Sequence, residues 1–462
     1  MSTQTRDDVI IIGSGQAGVP LATRLAAAGQ RVRIVERGAA GGTCSNTGCT
    51  PTKTMIASAR AAHVARTGQR LGVHAGEVTV DYAAGVARKD AMVARWRGGV
   101  EDRLGSGGDR LIFTRGHARF VGTRAIEVAG TRFEADRFVI DVGARAATPA
   151  LEGLAEVPHL DSSGLLALRI LPPHLLVLGG GYIGCELGQM LRRLGAEVTI
   201  VSASGHVLPR EDQDVSESLE AALRDEGVRL VLGKPVERVA RDQAAGGVAL
   251  TVAGGEAVRG THLLVATGRR PNTDDLGCAA GGIALDEAGY VRVDERYQTS
   301  VSGVFAAGDC TPGPQFTHTA WDDHRVLFDL LTGRPARVRS ARLVPFTIFT
   351  DPQVAGVGLS EREAKQRNIP VEVATLPFGK IARAIETDET AGLVKVLVDP
   401  ATEQVLGARI VGADAGELIH VFSILMQAGA SVRAIVDAEL VHPTFAEGLQ
   451  TAVMKFPRYA LS

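Results

Sequence analysis

The first apolar run of the chain is Val9-Ile10-Ile11-Ile12, a strand pattern broken at once by Gly13-Ser14-Gly15-Gln16-Ala17-Gly18. An Ala/Leu-rich stretch to about Ala28 then predicts a helix, and Val32 to Val35 a second strand ending on Glu36. The same order returns later. Leu175 to Leu178 leads into Gly179-Gly180-Gly181-Tyr182-Ile183-Gly184, a helix to about Leu194, and a strand from Val198 to Val201 ending on Ser202. The terminal residue lies equally far from the last glycine in both copies. Between the copies, residues 54–104 read as helix-rich with few breakers before Gly98-Gly99, and residues 111–140 as short alternating strands. Leu263 to Gly268 and Val304 to Asp309 each read as a strand entering a turn. From Pro345 onward the candidate strands are Phe346 to Phe349, Leu393 to Val398 and Gln404 to Val411, with a candidate helix from Gly416 to Gln427. This last block has no phosphate loop and reads as serving assembly.

Glycines between a strand and a helix let the backbone approach a pyrophosphate, whose charge then rests on the positive end of the helix dipole. Gly13, Gly15 and Gly18 therefore read as an FAD loop, with Glu36 placed to bond the ribose hydroxyls. Gly179, Gly181 and Gly184 read as a second nucleotide loop. A tight turn without ligand is the bland alternative for each, and the recurring strand, helix and terminal residue weigh against it. Ser202 stands where an acid would select NADH by repelling a 2′-phosphate. The missing charge, with Ser204, His206 and Arg210 close behind, favours NADPH, and NADH use is the alternative.

The most informative segment is Gly41-Gly42-Thr43-Cys44-Ser45-Asn46-Thr47-Gly48-Cys49-Thr50-Pro51-Thr52-Lys53. Two cysteines this close in a Gly-rich segment can be held near bridging distance, and a following helix would stabilise a thiolate. Hydride is a two-electron unit and a disulfide accepts two electrons, so a flavin between them is a matched relay. A zinc site would need two more ligands in proper spacing, and none is convincing, so no metal is assigned. Buried packing cysteines are the bland alternative.

Bulk properties narrow the class. A chain of 462 residues with 45% hydrophobic content should divide into two to four domains. Its formal net charge of −2 supplies no field to draw it to nucleic acid or an anionic membrane. No apolar stretch nears the roughly 18 to 20 residues that span a bilayer. The polar start from Met1 to Asp8 leaves no room for a secretion signal, and five cysteines are too few for a disulfide scaffold. A cytoplasmic enzyme of small molecules is expected.

With these motifs in order, the chain resembles the class I pyridine nucleotide-disulfide oxidoreductases, the family of glutathione reductase, dihydrolipoamide dehydrogenase and mercuric reductase. The resemblance runs through Gly13 to Gly18, the Cys44/Cys49 segment, Gly179 to Glu186, Ala266-Thr267-Gly268-Arg269-Arg270-Pro271-Asn272, Gly308-Asp309 and His442-Pro443-Thr444 with Glu447. It implies that Cys49 is the thiolate against the flavin and Cys44 the interchange thiol. It further implies Lys53 near the flavin paired with Glu186, Gly42, Thr43 and Asp309 on FAD, and Tyr182 over the nicotinamide pocket. His442 and Glu447 become an acid/base pair given by the second subunit of a homodimer.

Some positions depart from the family. Asp141-Val142-Gly143 stands where Ala-Thr-Gly is common, so that FAD contact is not carried over. The C-terminal Phe456-Pro457-Arg458-Tyr459-Ala460-Leu461-Ser462 lacks the cysteine pair by which mercuric reductases pass metal inward. His442, often missing from mercuric reductases, favours a thiol leaving group. Gly-Gly-Thr-Cys-x-Asn-Thr-Gly-Cys-Thr-Pro-Thr-Lys and Phe316-Thr317-His318-Thr319 nonetheless resemble the mercuric-reductase-like branch. Cys185, Cys278 and Cys310 match no ligand spacing and read as small apolar residues.

The implied fold is α/β: two Rossmann-like nucleotide-binding domains, for FAD and NAD(P)H, plus a C-terminal α+β dimerisation domain. The expected bounds are 1–148 and 269–344 for FAD, 149–268 for NAD(P)H and 345–462 for the interface. The implied function is an FAD-dependent NAD(P)H:disulfide oxidoreductase acting on a disulfide or related oxidised sulfur. The alternatives are a mercuric or cupric ion reductase, a dihydrolipoamide dehydrogenase, which Ser202 disfavours, and a non-catalytic redox sensor.

Overall fold

The structure is a computed structural model that describes residues 6–242 and 246–459. Its elements are mixed α/β and fall into two compact units. One comprises Met1–Thr54, Val86–Ala147 and Gly268–Arg342, the other Met55–Gly85, Thr148–Thr267 and Leu343–Ser462.

In the first unit, the strand Asp7–Ile12 pairs in parallel with Val32–Glu36 on one side and Thr131–Ile140 on the other, so that Ile11 faces Ile34 and Val139. Leu111–Arg115 and Val304–Ala306 extend the parallel sheet at its two sides. Thr131–Ile140 begins by pairing antiparallel with Ala125–Val128, which pairs with Ala118–Gly122. Continuous apolar strands need cover on both faces. Leu21 and Leu25 of the helix Gly18–Ala27 and Leu327 and Leu331 of the helix Thr317–Leu331 cover one face, and Phe120, Ile126 and Ile283 pack against the other. Each such buried side chain contributes about 1.5–3 kcal/mol.

In the second unit, Arg229–Leu232, Glu197–Ser202, His174–Leu178 and His262–Val265 form a parallel sheet in that order. Val236–Asp242, Gly247–Val252 and Ala257–Gly260 form a three-stranded antiparallel sheet. The C-terminal segment is a five-stranded antiparallel sheet, Phe346–Ile348, Gln353–Gly358, Val405–Gly412, Leu393–Val398 and Glu372–Pro377 in order. Phe422 of the helix Ala415–Gln427 and Leu449 of the helix Phe445–Val453 complete its core with Phe378, Val394 and Ile410.

Three local expectations are corrected. The helix Tyr82–Gly105 runs through Gly98-Gly99. Those glycines cost it about 1 kcal/mol each, and burial of Val93 and Leu104 on either side offsets this. The strands Gln353–Gly358 and Glu372–Pro377 were not expected, nor was the three-stranded sheet, in which Val236–Asp242 and Ala257–Gly260 carry exposed charges.

Candidate active site

The two glycine loops share one geometry. Gly13 N donates to Val35 O at 2.8 Å, and Gly179 N to Val201 O at 2.9 Å. Both residues have left-handed φ, +108° and +118°, which glycine adopts without strain. A Cβ on Gly13 would lie 2.1 Å from Asp141 O, and one on Gly179 2.5 Å from Ala266 O. A Cβ on Gly18 or Gly184 would likewise strike the carbonyl of Gly13 or Gly179. At Gly181, in contrast, a Cβ would meet nothing within 4 Å, which leaves the loop open to an approaching phosphate.

In the first loop, Glu36 Oε2 accepts from Ser14 N at 2.9 Å and Ser14 Oγ at 2.8 Å, and Oε1 accepts from Gly38 N at 2.7 Å. Oε1 keeps acceptor capacity for a ribose hydroxyl. A Cβ on Gly42 would come within 2.9 Å of Gly15 Cα, so the cysteine segment lies against this loop. Asp309 carries a carboxyl that burial pushes upward against the opposing charge of Arg269, 3.4 Å away. FAD fits this cradle on two observations. The glycines of the first loop pack so closely against Asp141 and Gly13 that any Cβ would strike them, which keeps the loop bare, and the Thr319 hydroxyl, 95% buried, has no hydrogen-bond partner of its own.

The cysteine segment folds as two consecutive helices. Cys44 is in the short helix Gly42–Asn46, and Cys49 is the first residue of the helix Cys49–Thr67, where the dipole favours a thiolate. Asn46 Nδ2 donates to Ala40 O and Gly42 O, both at 2.9 Å, and Arg97 Nε donates to Asn46 Oδ1 at 2.7 Å, which clamps the turn. Cys44 is half-buried and Cys49 exposed. Hydrogen bonding with Cys49, then burial, raises the Cys44 thiol, and the Thr317 hydroxyl and Lys53 charge act against this. Thr317 Oγ1 lies 3.1 Å from Cys49 Sγ. Thr317, Asn46 and Arg97 were given no role from the sequence: Asn46 and Thr317 lie in quoted motifs that do not name their partners, and Arg97 stands in no motif.

In the second loop, Tyr182 stacks on Phe346 with ring centroids 5.8 Å apart, and burial pushes its phenol upward. Ser202 is buried, with its Oγ accepting from Ser204 N at 3.2 Å. His206 Nδ1 lies 3.1 Å from Oε1 of the buried Glu220. Arg210 is exposed, and its charge acts on Tyr182. A cleft of about 770 Å³ beside Ser204 and His206 is lined also by Glu211, Asp212, Arg362 and Lys365. Glu186 is buried in the helix Tyr182–Leu194, and its Oε1 accepts from Phe349 N at 2.8 Å.

His442 Nδ1 meets Glu447 Oε2 at 2.8 Å. Thr444 caps the helix Phe445–Val453 by accepting from Glu447 N, which sets Glu447 in the first turn toward the ring. A carboxylate at Nδ1 leaves the Nε2 lone pair of the neutral ring to take a proton. Cys185, Cys278 and Cys310 are buried with backbone carbonyls as partners, and burial pushes the Cys278 thiol up to about 11. Of the stretches read at the two ends, residues 1–5 and 460–462 lie outside the described residues. No helix among the described residues is long and apolar enough to cross a membrane.

Comparison with known proteins agrees with this geometry. Residues 7–323 match the family model described as pyridine nucleotide-disulphide oxidoreductase, and residues 344–453 match that family's dimerisation domain. A mercuric reductase of Lysinibacillus sphaericus is 36% identical over 98% of this chain and 83% of its own length. A mitochondrial dihydrolipoyl dehydrogenase of Pisum sativum is 34% identical over 98% and 92%. The solved Cu(II) complex of the HOCl-induced flavoprotein disulfide reductase RclA from Escherichia coli superposes with a TM-score of 0.89 at 33% identity, covering 97% of this chain and 99% of that one. The chain therefore belongs to the pyridine nucleotide-disulfide oxidoreductase family, as an FAD-dependent enzyme with two nucleotide-binding domains and a dimerisation domain.

Proposed function

We propose that the enzyme spends NADPH to reduce a small disulfide or related oxidised sulfur compound, with Cys44 and Cys49 as its working dithiol. The observation that carries this reading is the hydrogen-bonded contact of Cys44 with Cys49 at the start of a 19-residue helix. FAD, when bound, supplies the two-electron link between nicotinamide and disulfide. Gly13, Gly15, Gly18, Glu36, Gly42, Thr43 and Asp309 hold it, and Lys53 supplies positive charge beside it.

Cys44 is the interchange thiol. After losing its proton to His442 it attacks one substrate sulfur, forming a mixed disulfide and releasing the first thiolate. His442 protonates that leaving group. Cys49 then attacks Cys44 Sγ as a thiolate, the second substrate sulfur departs as a thiolate that takes its proton from solvent, and the Cys44–Cys49 disulfide forms, so two electrons leave the dithiol and two thiols result. His442 and Glu447 come from the second subunit. Gly179, Gly181, Gly184 and Tyr182 bind the nicotinamide nucleotide, and Ser202, His206 and Arg210 favour NADPH. The domains follow residues 1–148 with 269–344, 149–268 and 345–462, in a cytoplasmic enzyme.

A second reading, reduction of mercuric or cupric ion, draws on the mercuric reductase relative and on the Cu(II) complex named for RclA. NADPH turnover against a panel of low-molecular-weight disulfides, with mercuric and cupric ions in parallel, separates the two. Turnover with a disulfide supports the first reading, and turnover with the ions alone overturns it.

A further inference from the structure

Asp141 is the position at which the chain departs from Ala-Thr-Gly, and its carboxyl is built into the flavin cradle. Oδ2 accepts from Gly18 N at 2.8 Å, at the start of the helix Gly18–Ala27. A Cβ on Gly15 would lie 2.8 Å from Oδ2, and one on Gly308 2.9 Å from Oδ1, so the group fills the gap between the first glycine loop and the Gly308-Asp309 loop. It is only 6% exposed. We propose that Asp141 joins these two loops as a neutral carboxylic acid, and that its ionisation at alkaline pH weakens the hold on FAD.

The surroundings argue for the neutral form. Burial, first, holds the Asp141 proton well above the usual carboxylate range, and the Gly18 amide opposes this; the charges of Asp309, Asp323 and Glu36 reinforce it. The cations nearby are already engaged. Arg269 faces Asp309, and Arg342 bonds Asp323, which also accepts from Tyr297 and from Gly308 N. Cys310, the other titratable group alongside, is kept as a thiol by its burial, and its Sγ bonds to Ile140 O and Ala307 O. A diphosphate brought into the same cradle adds negative charge and favours the Asp141 proton further. Loss of the proton would set a carboxylate against the diphosphate, so the sign is fixed: FAD binds less tightly as pH rises through the Asp141 ionisation.

The test measures the FAD dissociation constant of the holoenzyme by flavin fluorescence after ultrafiltration, at constant ionic strength from about pH 6 to about pH 9. For the native protein the constant should rise at the alkaline end, by up to about tenfold per pH unit. Asp141→Asn keeps the shape and cannot ionise, so its profile should be flat. A flat native profile, or an equal rise in Asp141→Asn, overturns the proposal, as does an Asn variant that is folded by circular dichroism yet binds no FAD. Asp141→Ser repeats the test with a smaller neutral side chain should the Asn variant not fold, and the same outcomes decide it.

Discussion

Glu447 holds His442 by both carboxylate oxygens, Oε2 at 2.8 Å and Oε1 at 3.0 Å from Nδ1, while the histidine side chain is 70% exposed. On the proposed function this oriented, exposed pair supplies acid and base to the dithiol of the other subunit, and it lies in the stretch that matches the family's dimerisation domain. Mixing inactive Cys44→Ser chains with inactive His442→Ala chains should then restore activity. Random reassortment of equal amounts makes half of the dimers mixed, and one site in each is intact, so about a quarter of all sites should recover in an isologous dimer. An inactive mixture with subunit exchange verified would show that the sites are not shared.

Ser202 is buried at the end of its strand, with its hydroxyl turned to Ser204 N. Glutamate there would set a charge against a 2′-phosphate. Ser202→Glu should move the kcat/KM ratio toward NADH by at least about tenfold, or ~1.4 kcal/mol of discrimination. Steady-state kinetics with both nucleotides gives the answer, and an unchanged ratio places the selecting contacts elsewhere.

A stability prediction concerns Asp351. Burial would raise its carboxyl, but the charge and hydrogen bond of Arg193, then Arg60 and His63, bring it below the ordinary carboxylate range. Arg193 is itself buried and bonds Glu226 as well, at 2.6 Å and 2.7 Å. A folded value below the unfolded one contributes stability above the unfolded value, about 3.9, and loses it as pH falls through the folded one. Asp351→Asn should lower stability by about 1–3 kcal/mol at neutral pH, with Glu226 left to compensate Arg193. Tm measured between about pH 7 and about pH 3 should converge for the two proteins at the acid end. Parallel curves would mean that Asp351 does not titrate with folding.

The two nucleotide loops were legible in sequence because glycine spacing and apolar runs have to be contiguous to work. The same holds for the Cys44/Cys49 segment, whose helix start is encoded locally. Thr317 was not legible as a partner of Cys49, since nothing within Phe316-Thr317-His318-Thr319 announces a residue 268 positions away. Strands such as Val236–Asp242 escaped because exposed Glu237, Arg238 and Arg241 interrupt their few apolar positions, so their apolar signal is thin. The role of Asp141 was hidden for a different reason. Its carboxyl matters through the loops that fold around it, and only their approach makes an ordinary Asp a buried acid.

The central claim is that Cys44 delivers electrons to substrate and Cys49 stands by the flavin. The most direct measurement is the absorbance spectrum and NADPH-dependent disulfide turnover of Cys44→Ser. The variant should keep FAD, accept reduction by NADPH, and show a long-wavelength absorbance without reductant, because Cys49 is left as a permanent thiolate. Its disulfide turnover should fall to background. A Cys44→Ser enzyme that still turns over disulfides at the native rate would contradict the account.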